Sequence, residues 1–407
     1  MKKIKENFAI RNYIYKPHYN QKLLNKDLKK TSNFLSETYS QINKKKDFFY
    51  LLSKQFEFSF KKKDLINYKK FNSIVVIGMG GSILGSNSIY TFLKHKIKKE
   101  FLFLDNLNEN QLDKVIRKNL KKKLFIIISK SGNTIETLVN MSLLKNVKLN
   151  SNNTIIITEN KKSSLYIFSK KIKALTIEHK KYVGGRYSVL SEVGMLPANL
   201  MGLKTEEFRK NLLDYFKIKL KKKILIESSA KISQIYLNNK IRSIIFLNYC
   251  PQLKDFLLWC QQLIAESLGK SGMGLLPVIS SAPKDHHSLL QLYLDGPRDK
   301  MFYLFSSKSL YNFKIENSNL DKSSNFINNK KVEKIILAQK NSLIKILKRK
   351  NIPFREFCIN KFNENVIAEL FTYFSLETTA IAKLINVNAF TQPAVEEVKV
   401  LTKKFLI

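Results

Sequence analysis

Two stretches of this 407-residue chain repeat one pattern, and that pattern narrows the folds open to it. Residues 74–77 (IVVI) and 124–128 (LFIII) are short apolar runs. Each gives way at once to a loop of small and hydroxylated residues, GMGGSILGS (78–86) and SKSGNTIETL (129–138), and then to a helical pattern. Further apolar runs fall at 101–104, 154–158 and 174–178, and a second series at 243–249, 275–279, 301–305 and 354–359. Continuous apolar strands separated by helical segments imply parallel sheets covered on both faces. Helical segments are predicted over 190–240, 331–350 and 363–385. We therefore expect an α/β fold of two tandem three-layer αβα domains with mostly parallel sheets. The expected division is a polar helical extension over residues 1–70, a first domain over 71–203 and a second over 204–407. In such sheets ligands bind beyond the carboxyl ends of the strands. The 13 glycines all lie between Gly78 and Gly296, most of them near a predicted strand end.

Composition excludes several alternatives. No apolar run approaches the ~20 residues needed to span a bilayer, and no signal-peptide pattern opens the chain. Cys250, Cys260 and Cys358 have neither metal-ligand spacing nor an even count, which suits a reducing compartment. A cytoplasmic protein without membrane contact is expected. The net charge of +40 raises nucleic acid as a partner,. However, only eight of the 72 basic residues are Arg, and the lysines fall in scattered groups such as 61–63, 121–123 and 221–223. No aromatic residues interleave them as in single-strand binders. A solvated surface that attracts small anions is the expected role, with no nucleic-acid partner.

Three motifs carry phosphate or anion chemistry. GMGGS, with Gly81 and Ser82, lets backbone amides approach a ligand at a helix start. Its glycine spacing is not that of a dinucleotide fingerprint, and it lacks the lysine of a Walker loop. By itself it could equally be a tight strand–helix turn. In SKSGNT, Ser129, Lys130, Ser131 and Thr134 put three hydroxyls and an ammonium within six residues. Capping alone would need one hydroxyl, so the set reads as a phosphate cradle. Gly184-Gly185-Arg186 places an Arg, rare in this chain, where planar bidentate geometry is useful; a structural ion pair is the other reading.

The segment 251–298 holds candidates for proton transfer. A helix is predicted over 255–268, stopped at Gly269. On it Gln262 and Glu266 lie four apart and share a face. His286 and His287 come next, at the start of another helix. A carboxylate, an amide and an imidazole are the raw material of general acid–base catalysis. Each has an ordinary structural role when taken singly.

GMGGS, SKSGNT, VGGRYSVLSEVG (183–194), WCQQLIAESLGKSG (259–272), KDHHSLLQLYLDGP (284–297) and QPAVEEVK (392–399) occur in this order. Together they resemble the glucose-6-phosphate isomerase family, over residues 70–400. GMGGS and SKSGNT alone would resemble only the sugar-isomerase (SIS) domain, which that family carries in duplicate. The resemblance implies interconversion of glucose 6-phosphate and fructose 6-phosphate through a cis-enediolate. It implies Glu266 as the base and Arg186 at the enediolate oxygens, with His287 and Lys399 assisting ring opening. Ser129, Lys130, Ser131 and Thr134 would hold the phosphate, Gly81 and Ser82 would line the sugar, and Gln262 and Gln392 would orient it. It further implies a homodimer in which the histidine serves the neighbouring site, and no metal or other cofactor. A bifunctional phosphoglucose/phosphomannose isomerase, or a non-catalytic sugar-phosphate-binding regulator, remains open at this stage.

Overall fold

The computed structural model describes residues 8–117, 123–144, 148–308, 310–311, 313–316 and 321–407. Of the lysine triplet 121–123, only Lys123 falls within that set, and the lysines at positions 2, 3 and 5 fall outside it. The described chain enters on a strand, β1 (Phe8–Tyr13), before the long helix Gln21–Ser40. The first sheet comes next: β2 (Ser73–Ile77), β3 (Glu100–Leu104), β4 (Lys123–Ile128), β5 (Thr154–Thr158) and β6 (Leu175–Glu178). Its order is β3-β2-β4-β5-β6, parallel throughout. The second sheet contains β7 (Ser243–Asn248), β8 (Leu276–Ser281), β9 (Lys300–Ser307) and β10 (Phe354–Ile359), in the order β1-β10-β9-β7-β8. Only β1 runs antiparallel there. The α/β architecture with mostly parallel sheets is thus as expected.

The N-terminal segment departs from the expected helical extension, because β1 closes the edge of the second sheet. Its anchor is Arg355 on β10, which is fully buried. The guanidinium donates to both carboxylate oxygens of Glu377 (2.9 Å each) and to Asn12 Oδ1 on β1 (2.7 Å). A buried cation without such partners would be costly, so Asn12 and Glu377 together account for an Arg at this depth.

The strands are buried on both faces, which explains their unbroken apolar sequence. Side chains alternate along each strand. Ile74, Val76 and Ile126 face a central core together with Ile244 and Phe246 of the other sheet. Val75, Ile77, Phe125 and Ile127 pack under the outer helices of the first sheet, and Ile245, Leu247, Phe302 and Leu304 under those of the second. The central layer holds the helices Leu84–Leu93, Lys254–Leu268 and Glu364–Leu384, whose Ile89, Leu93, Leu257, Leu263 and Phe371 join that core. Small residues bring the first two close: Ser88 Oγ donates to the Asp255 carbonyl at 2.9 Å. In both sheets the order reverses beside the first strand of the series, β2 and β7. The loop after β2 is GMGGS, and the helix after β7 is the one that carries Glu266.

Candidate active site

The predicted helix over 255–268 is observed as Lys254–Leu268, with the Gly269 N–H closing on Ala265 O at 2.9 Å. The four-residue spacing of Gln262 and Glu266 acts as expected: Gln262 Nε2 donates to Glu266 Oε1 at 2.9 Å. The other carboxylate oxygen, Oε2, accepts from Arg186 Nη1 at 2.8 Å. Arg186 is buried, 3% exposed. Its Nε donates to Ser267 Oγ (2.9 Å), Nη1 also to Gln392 Oε1 (2.7 Å), and Nη2 to the carbonyls of Ala389 (2.6 Å) and Thr391 (3.2 Å). A planar fork that serves five acceptors is a task lysine cannot perform. Trp259 fixes the same residue from behind, donating its indole N–H to the Arg186 carbonyl at 3.0 Å.

Glycines decide how near the loops approach this cluster. Gly80 has φ +51°, and a Cβ there would stand 2.7 Å from Gln262 Nε2. A Cβ on Gly81 would fall 2.2 Å from the Gly185 carbonyl group. The GMGGS loop therefore lies directly on Gln262 and on the backbone that carries Arg186. The SKSGNT loop adjoins it at the ends of β2 and β4, where a Cβ on Gly78 would lie 3.0 Å from Ile128 O. Here Ser129 Oγ pairs with Thr134 Oγ1 at 2.9 Å and accepts the Gly132 N–H at 3.1 Å. Ser131 Oγ accepts the Asn133 N–H at 3.2 Å. Gly132, at φ +71°, turns the loop back against Ser163. The result is a compact turn of hydroxyls and amides at the start of the helix Ile135–Ser142.

Gln262, Glu266, Arg186 and Gln392 are thus joined by hydrogen bonds, Gly81 packs on the Gly185–Arg186 backbone with Ser82 next to it in the chain, and the Ser129–Thr134 loop adjoins that loop. Lys130 belongs to that loop, but its ammonium donates to the backbone carbonyls of Lys181 and Val183, at 2.9 Å each. His287 and Lys399 are not brought to Glu266 within this chain. His286 is committed to Tyr249, whose hydroxyl lies 2.7 Å from its Nε2. Burial, then the neighbouring His287, lowers the His286 pKa. His287 is exposed, at the end of the short 3₁₀ turn Lys284–His287 and not on the next helix. Asp285 braces that turn by accepting from Ser280 Oγ (2.9 Å) and the Ser281 N–H (2.7 Å). Lys399 is exposed and pairs with Glu396 at 2.6 Å on Ala394–Phe405, a helix without a single buried residue.

Sequence reasoning missed several contributors. Ser267 supports both Arg186 and the buried hydroxyl of Tyr187 (2.9 Å). Lys270 donates to the Ser267 and Asn388 carbonyls (2.9 and 2.5 Å) and so fastens the segment ahead of Gln392 to the end of the helix that carries Glu266. Burial, followed by the charge of Arg186, brings its pKa down to about 8. The adjacency of Ser267 to Glu266 was the available signal; nothing local marks Lys270. Among the described residues, no cluster of three or more His, Cys, Asp or Glu is placed to hold a metal ion. No described helix is long and apolar enough to cross a membrane.

Two open, mostly parallel sheets, a turn of hydroxyls and amides after β4 and a carboxylate braced by an arginine match the SIS type of sugar-phosphate isomerase. The phosphoglucose isomerase family model matches residues 34–274. The chain is 33% identical to the glucose-6-phosphate isomerase of Methanocaldococcus jannaschii over 83% of its own length and 85% of that protein's. It belongs to the phosphoglucose isomerase family. In fold it resembles a hypothetical protein from Thermus thermophilus (TM-score 0.82, 23% identity, 98% of this chain and 100% of that one). It also resembles a glucose-6-phosphate isomerase from Chlamydia trachomatis (TM-score 0.70, 18% identity, 85% and 71%).

Proposed function

We propose that this chain interconverts glucose 6-phosphate and fructose 6-phosphate by moving one proton between C2 and C1, with Glu266 as the base. The observation that carries this reading is the double fixation of Glu266, Oε1 by Gln262 and Oε2 by Arg186. Each carboxylate oxygen keeps a lone pair, so the group is oriented yet able to accept a proton. Arg186 is assigned to the negative charge that develops in the enediolate; its N–H groups are engaged by the protein, so it acts there as a fixed buried cation and not as a free donor,. A regulator that only binds sugar phosphate would gain nothing from a carboxylate held in this way.

The phosphate is assigned to Ser129, Ser131, Thr134 and the amides of their loop, with Gly81 and Ser82 lining the sugar. Binding energy from the phosphate then positions carbons that lie away from it. Gln262 and Gln392 orient the hydroxyls. Ring opening is assigned to His287 and Lys399. Since neither reaches Glu266 within one chain, we assign this role in a homodimer, with His287 acting across the subunit boundary. The exposed helix Ala394–Phe405, with Val398 65% and Phe405 87% exposed, has the apolar face that such an assembly would cover. A cytoplasmic location and a place in glycolysis or gluconeogenesis accord with this activity.

The test is an assay of the purified full-length protein with fructose 6-phosphate, coupled to a dehydrogenase specific for glucose 6-phosphate. Stoichiometric product formation is expected. No product with fructose 6-phosphate, in the face of measurable binding, would leave the binding-only reading.

A further inference from the structure

The phosphate loop contains one cation, and its charge is already in use. Lys130 lies between Ser129 and Ser131, but its Nζ crosses to the strand-end segment after β6. There it meets the Lys181 and Val183 carbonyls at 2.9 Å each, with Glu159 Oε1 at 3.7 Å. An ammonium has three N–H donors. The two carbonyls accept two of them, and the buried Glu159 carboxylate balances the charge from 3.7 Å, so a phosphate would compete with that carboxylate for the ammonium and could not draw it over without giving up the carbonyls. The surroundings keep the ammonium in place. Glu159 is buried and also pairs with Lys161, and the backbone N–H of Glu159 donates to the Lys130 carbonyl at 3.2 Å. Behind it lies His179, 1% exposed and held neutral by burial, so it adds no charge beside the two lysines that share Glu159.

The two carbonyls matter because of their place in the chain. Val183 leads directly into Gly184, Gly185 and Arg186, and the Gly185–Arg186 backbone packs on Gly81 of the sugar-lining loop. Lys130 thus connects the phosphate turn to the segment that presents the guanidinium.

We propose that Lys130 is a positioning residue, a strut that couples phosphate occupancy of the Ser129–Thr134 turn to the placement of Arg186, and not the counter-ion of the phosphate. This rests on the isomerase reading given above, and the experiment separates the two. Wild-type turnover of fructose 6-phosphate tests that reading alone.

The strut is tested with Lys130→Met in the full-length protein. Displacing Arg186 by an ångström is expected to lower kcat by about 10²-fold. KM, and the inhibition constant of inorganic phosphate, should stay within about threefold, because the hydroxyls and amides that bind phosphate are untouched. The losses should also overlap: Lys130→Met in an Arg186→Lys background should cost less than about threefold more. A tenfold or larger rise in the phosphate inhibition constant at unchanged kcat would make Lys130 the counter-ion and overturn the proposal. Fully multiplicative losses in the double variant would overturn it as well. If the Met variant does not fold, Lys130→Gln, polar but too short to hold both carbonyls, carries the same measurements. A readout independent of turnover is amide hydrogen exchange over residues 183–190. Inorganic phosphate should slow it in the wild type and not in Lys130→Met; equal protection in both would refute the coupling.

Discussion

Replacing Arg186 by lysine tests the site at its most connected point. The guanidinium serves Ser267, Glu266, Gln392, Ala389 and Thr391 from three nitrogens at 2.6–3.2 Å. A lysine ammonium is a single point with three donors and cannot span the distance between Ser267 on one side and the Ala389 carbonyl on the other. At least two of the five acceptors lose their partner. Each buried acceptor left unsatisfied costs roughly 1–3 kcal/mol, so the variant should be destabilised by about 2–6 kcal/mol, visible as a lower midpoint in urea. Turnover should suffer separately, because displacing the fixed cation that stabilises the developing oxyanion costs about 10²-fold or more in kcat. The coupled assay with fructose 6-phosphate, run to saturation, distinguishes these effects. The expected pattern is a kcat reduced about 10²-fold with KM changed by less than about threefold. A kcat within threefold of wild type, or a loss confined to KM, would refute the assignment of Arg186 to the transition state.

The same geometry sets other outcomes. Ser131→Ala and Thr134→Ala should each raise KM by about tenfold or more, the worth of one hydrogen bond to a charged group, with kcat nearly kept; steady-state kinetics read both. Mixing Glu266→Gln with His287→Ala subunits after joint refolding should restore about a quarter of wild-type activity, since half of the random dimers are mixed and each contains one intact site. Recovery of none would place His287 in its own subunit's site, and wild-type activity of His287→Ala alone would place it outside the chemistry. His179 is buried, with its pKa brought down from 6.5 to about 4. Between those values the unfolded chain binds a proton that the folded one refuses, so stability falls as pH drops from about 6.5 to about 4, by roughly 3 kcal/mol in total. His179→Gln should flatten that part of the curve of thermal midpoint against pH; an unchanged slope would show that His179 is not its origin.

Much of the fold was legible because its signals are local. Residues 74–77 and 124–128 are apolar at every position, and only a strand buried on both faces needs that. Gln262 and Glu266 were placed correctly by helical spacing alone. What escaped depends on partners far away in the chain. β1 is a mixed run, FAIRNY, and reads as polar surface until Asn12 meets Arg355, more than 300 residues further on. The same holds for the segment before Gln392, whose role is set by backbone carbonyls that no side-chain pattern announces. Lys130 was legible as part of a phosphate motif, but the acceptors of its ammonium, at Lys181 and Val183, were not. His287 and Lys399 stand apart from Glu266 in the single chain. A linear sequence does not say whether two motif residues belong to one subunit's site or to two.

The central claim is that Glu266 moves the proton, and Glu266→Gln tests it most directly. The amide is nearly isosteric and can keep one polar contact on each side, to Gln262 and to Arg186, but it has no basic lone pair for C2. The account predicts that kcat and the exchange of the C2 hydrogen of glucose 6-phosphate with solvent deuterium both fall by about 10³-fold or more. Inorganic phosphate should still inhibit with a constant within about threefold of wild type. Turnover and exchange within tenfold of the wild-type values would contradict it.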